Sequence, residues 1–115
     1  MKRFGYLPLN TELSKSSEIP HLNELRNLRD VYLEKAVLAM AKTYSSMTTE
    51  GWRKWFHDME DKPDVMIDGL KILLDDIFDF YCWAMITRFH WLCVLTRAEE
   101  FRQLQLKRHL QALSR

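Results

Sequence analysis

Ile77-Phe78-Asp79-Phe80-Tyr81-Cys82-Trp83-Ala84-Met85-Ile86-Thr87-Arg88-Phe89-His90-Trp91-Leu92-Cys93-Val94-Leu95 is the stretch on which the fold of this chain turns. Fifteen of its nineteen residues are apolar, and only Asp79, Thr87, Arg88 and His90 interrupt. From Pro63 to the C-terminus there is no further proline and only one glycine, Gly69, so the pattern predicts one helix from about 63 to 95. At about 100° per residue, Asp64, Asp68, Lys71, Asp75 and Asp79 share a stripe roughly 80° wide on that helix. Met66, Leu70, Leu73, Leu74, Ile77 and Tyr81 lie opposite. Carried forward, the acidic stripe meets Cys82, Ile86, Phe89 and Cys93, then turns polar again at Glu100 and Lys107.

A helix that is apolar all round must be covered all round. A domain of 115 residues does not easily surround one helix. The expected cover is the N-terminal arm with Phe4, Tyr6 and Leu7, a second copy of the chain, or another protein. The candidate partner-binding surface is therefore Cys82, Ile86, Phe89 and Cys93, flanked by Phe78, Trp83 and His90. Arg88 belongs to the same set, because a guanidinium on the inner face needs a carboxylate, several carbonyls or an interface. On this basis Phe89→Glu is expected to dissociate a complex and leave the helices folded.

Outward from this stretch, Leu22, Leu25, Leu28, Tyr32, Ala36, Met40, Tyr44 and Met47 recur at spacings of three and four. They predict a first helix over about 20–46, opened by Pro20. Thr48-Thr49 offers caps for a short second helix to about residue 60, with Trp52, Trp55, Phe56 and Met59 on one face. Thr96-Arg97-Ala98-Glu99 has the form of a capping box, so a last helix either starts there or continues the third. Residues 1–19, with Gly5, Pro8 and a polar run, read as an extended arm. The fold class is all-α: a small helical bundle of three to five helices over 20–115, preceded by that arm.

With 17 Lys+Arg against 16 Asp+Glu, the chain has ordinary globular composition and no electrostatic bias towards nucleic acid. The charge is nonetheless uneven. Residues 50–79 hold nine acids and four bases, net −5, whereas 80–115 hold six bases and two acids, net +4. Two cysteines are too few for a secreted disulfide framework. On one helix, Cys82 and Cys93 would stand roughly 16 Å apart, too far to bridge. The basic start, Lys2-Arg3, is followed by no continuous apolar segment, so the chain reads as cytoplasmic and without a signal peptide. Asp79, Arg88 and His90 make 77–95 an expensive membrane span.

No catalytic motif is present, so no catalytic residue, metal ligand or cofactor is assigned. The acids around His57-Asp58-Met59-Glu60-Asp61 lack a second histidine at ligand spacing and read as a solvated helix end. Neither cysteine has a base at a useful helical position, so both read as buried and inert. The function expected is a small regulator or inhibitor that is not an enzyme. It would bind and sequester or modulate a protein partner, such as a transcription regulator, as a homodimer. The alternative is a helical nucleic-acid-binding regulator using Arg97, Arg102, Lys107, Arg108 and Arg115.

Overall fold

A computed structural model of the chain describes residues 21–75 and 79–114. The arm at 1–19, the opening proline Pro20, and Phe78 lie outside the described residues. The fold is all-α, with four helices among the described residues: α1 (Leu22–Thr43), α2 (Thr49–Asp58), α3 (Pro63–Leu73) and α4 (Phe80–Leu113).

Local chemistry sets most of the boundaries. His21 caps α1, its Nδ1 accepting from the Asn23 N–H at 3.3 Å. Thr48 Oγ1 accepts from the Gly51 N–H at 3.1 Å, which is the cap the sequence offered for α2. Pro63 occupies the first turn of α3, where a missing N–H leaves no bond unmade.

One expectation for the second half of the chain is corrected. The continuous helix 63–95 does not form, because α3 ends at Leu73 and α4 starts at Phe80. The restart is made by Asp79, whose Oδ1 accepts from the Cys82 N–H at 2.8 Å. An aspartate that bonds the backbone three residues on is a helix cap, not the last member of a surface stripe. Of the two alternatives left open, a helix running on is the one found at Thr96. Its hydroxyl donates back to the Leu92 carbonyl at 2.6 Å and Glu99 turns forward to Arg102, so the capping box is absent and α4 runs on.

α1 and α4 lie antiparallel. Arg26 Nη2 meets Glu100 at 2.7 Å at one end, and Met40 Sδ lies 3.5 Å from Cys82 Sγ at the other. Small residues on α1, Ala36, Val37 and Ala39, are buried along this seam and let α4 approach closely. Trp52 and Phe56 of α2 close one side, and Met66 and Leu70 of α3 close another. Glu34 of α1 grips Arg53 of α2 through two bonds of 2.8 and 2.9 Å.

The lengths do not match. At about 1.5 Å per residue, the 34 residues of α4 span about 51 Å and the 22 of α1 about 33 Å. Because α1 begins at Leu22, opposite the Glu100 region, α4 continues beyond the bundle. The longest dimension of the molecule, 56 Å, is close to the length of this helix.

Candidate partner-binding surface

The stripe singled out in the sequence is interior. Cys82 is 1 % exposed, and Ile86, Phe89 and Cys93 are fully buried. The Phe56 ring meets Phe89 edge-on, with centroids 5.5 Å apart and planes at 90°. Four of the expected partner-binding residues are therefore core of this chain, and the expectation of an outside cover is corrected for them. The physical reason is the break at Asp79. Once α3 and α4 are separate helices, the phase of the acidic stripe on one no longer projects onto the other. Phe89→Glu would place a carboxylate against Phe56, so it is expected to unfold the chain and not to dissociate a complex.

The flanking residues Trp83, Arg88 and His90 are half-buried at the rim of that core. Arg88 has its guanidinium over the Tyr32 ring, 5.8 Å from the centroid, a cation–π contact that was not among the carboxylate, carbonyl or interface partners expected from the sequence. His90 Nε2 is buried with no hydrogen-bond partner among the described residues. Burial holds His90 below its ordinary range; Asp64 and Asp68 of α3 pull it up and Lys71 pushes it down. Burial likewise raises both thiols, Cys93 to about 12. Both cysteines are free, buried thiols, and a thiol that resists ionisation is a poor nucleophile.

The exposed apolar surface is elsewhere, on residues the sequence argument passed over. Beyond Glu100 every described residue of α4 is exposed. Leu104 is 44 % exposed, Leu106 48 %, Leu110 57 % and Leu113 68 %. Leu106, Leu110 and Leu113 follow one another at four and three residues, continuing the face that carries buried Leu92, Thr96 and Glu99. They extend the α1 seam past the end of α1. Leu22 and Arg26, at the start of α1, form the near wall of the resulting groove with Leu104, Leu106 and Leu110. The signal was present as that leucine spacing, but nothing local says where the neighbouring helix begins.

The rim of the groove is mainly basic. Arg26 pairs with Glu100, and Arg102 bonds Glu99 through Nε at 2.8 Å and Nη2 at 2.6 Å. That fork, helped by Gln103 Nε2 at 3.1 Å, holds the Glu99 carboxyl below its ordinary range. Lys107 and Arg108 make no ion pair among the described residues. Of the five bases proposed for phosphate contacts, Arg97 donates to the Asp61 carbonyl and Arg102 is held by Glu99. Arg115 lies outside the described residues.

The acidic end near His57 stays dispersed. Lys54 Nζ reaches Asp58 at 3.2 Å, while His57 and Arg29 approach Glu60 at 3.5 and 3.7 Å. No group of three or more His, Cys, Asp or Glu side chains able to hold a metal ion is found among the described residues. Among the same residues, no helix is long and apolar enough to cross a membrane. Comparison with known proteins gives no family: no family model, curated protein or solved structure matches the chain.

Proposed function

We propose that this chain is a small regulatory protein-interaction module, not an enzyme, that binds and sequesters or modulates a protein partner of the transcription-regulator class. The observation that carries this reading is the overhang of α4, where Leu106, Leu110 and Leu113 lie exposed on the face that continues buried Leu92, Thr96 and Glu99. A leucine side chain contributes about 1.5–3 kcal/mol when fully buried, so two or three at the centre of a contact can anchor it. The buried thiols and the partly desolvated histidine offer no competing chemistry.

A homodimer is part of the same proposal, and it falls to the other end of the α1–α4 pair. Leu38 and Tyr81 are exposed there at 61 % and 63 %. Lys42 and Asp79 line the same hollow, so a two-fold contact finds both signs of charge on each copy. Nucleic-acid binding is the weaker reading, because Arg97 and Arg102 are already engaged within the chain.

The test is genetic. Cells carrying Leu106→Ser with Leu110→Ser should reproduce the transcript profile of a strain lacking the protein, at unchanged protein abundance. A wild-type profile from the double variant removes the distal face from the function.

A further inference from the structure

We infer that the element this module receives is an acidic amphipathic helix, lying along the overhang of α4 in line with α1. Its apolar stripe would rest on Leu106 and Leu110, with its carboxylates towards Lys107, the groove base that makes no ion pair among the described residues. This rests on the distal face being the docking site, and adds what docks there.

Shape gives the first argument. The groove is the extension of a helix–helix seam, walled at its near end by the first turn of α1. From Leu104 to Leu113 the overhang is about 15 Å long, close to three helical turns. A helix at the ordinary interaxial distance of about 8–10 Å fills such a seam as α1 fills the rest of it.

Charge gives the second. From Phe101 to Ser114, α4 carries Arg102, Lys107 and Arg108 and no acid. Among the described residues, the only carboxylate lining the groove is Glu100, already paired with Arg26. A helix with glutamate or aspartate beside its apolar stripe meets complementary charge at Lys107. A second copy does not. Any two-fold pairing of two overhangs sets bases against bases, and like charges opposed across a contact disfavour it. The acidic α3, with Val65 and Ile72 exposed beside Asp64 and Asp68, has the right chemistry but sits on the body of the same chain. Seating it on a neighbour's overhang is a head-to-tail contact, which grows unless its rotation closes a ring.

The test uses the full chain and two labelled helical peptides of about four turns. Each has leucine at i, i+3, i+4 and i+7; one has glutamate at the flanking positions and the other lysine. Fluorescence anisotropy should show the glutamate peptide binding, weakening with salt, and at least about tenfold tighter than the lysine peptide. Lys107→Glu should narrow or reverse that preference. Leu110→Ala should abolish binding with no change in melting temperature. Equal binding of both peptides overturns the charge assignment and leaves the distal face as the docking site. If neither peptide binds and light scattering shows self-association lost in Leu110→Ala, the occupant is a second copy. If replacing Phe4, Tyr6 and Leu7 by serine raises affinity for the glutamate peptide about tenfold, the chain's own N-terminal segment fills the groove, and the inference falls. If neither peptide binds, the protein is monomeric and the leucine variants keep wild-type function, the inference and the docking reading both fall.

Discussion

The two halves of α4 are one helix under two different regimes. From Cys82 to Glu99 nine residues are buried, and the face towards α1 holds Cys82, Ile86, Phe89 and Cys93 with almost no accessible surface. From Phe101 to Leu113 the face that continues buried Leu92, Thr96 and Glu99 carries Leu106, Leu110 and Leu113 with about half or more of each side chain in water. Hydrophobicity does not separate them, since leucine and isoleucine are equally apolar. What differs is whether α1 runs alongside. An apolar stripe becomes core where a neighbour of matching length covers it and stays exposed where that neighbour stops.

The sharpest way to break this contrast is to truncate one large side chain in each half. Phe89→Ala removes a ring packed against Phe56 and should cost about 3–5 kcal/mol in a denaturant titration. A loss below about 1 kcal/mol would show that the near half is not the core described here.

Next in size is the device that starts the helix. Asp79→Ala leaves the Cys82 N–H without its carboxylate and should cost about 1 kcal/mol in the same titration, with Asp79→Asn largely retaining stability. An unchanged midpoint for Asp79→Ala would mean that the break after Leu73 is held by packing alone.

The pH dependence sharpens the contrast further, because His90 sits in the covered half. Its folded pKa is depressed, chiefly by burial. As pH falls, the unfolded chain therefore takes up the proton first, near 6.5, and the folded form is disfavoured until the lower folded value is passed. Melting temperature should drop on going from pH 7 towards pH 5 by more in the natural chain than in His90→Leu. Asp64 and Asp68 temper the effect, so Asp64→Asn should deepen the fall. Equal slopes with and without His90 would remove this histidine from the desolvated rim.

The smallest expected effect is in the uncovered half. Leu110→Ala should leave stability within about 0.5 kcal/mol of the natural chain, as surface substitutions do. A loss of about 2 kcal/mol or more would instead place Leu110 in a packed core.

The legible parts of this fold were those set by nearby residues. Thr48 as a cap, Pro63 in a first turn and the spacing of Trp52 and Phe56 gave α2 and the start of α3, and three-and-four spacing gave α1. The break before Phe80 was hidden because aspartate suits both a helix surface and a helix cap, and Asp79 looked like the fifth member of an acidic row. Thr96 and Glu99 left two readings open. Their spacing fits a capping box, but inside a helix the threonine hydroxyl is satisfied by the carbonyl four residues back. The exposed apolar face was missed for a different reason. Leu106, Leu110 and Leu113 show their spacing plainly, but their exposure depends on where α1 begins, some eighty residues earlier in the chain.

Amide hydrogen exchange along α4, with and without the glutamate peptide, tests the central claim most directly. In the free protein, amides from Ala84 to Thr96 should exchange only through global unfolding, and those from Gln105 to Leu113 orders of magnitude faster through local fraying. Adding the peptide should slow exchange in the distal segment alone. Uniform protection of both segments in the free protein, or peptide-induced protection confined to Cys82–Cys93, would contradict the division of α4 into a covered core half and an open docking half.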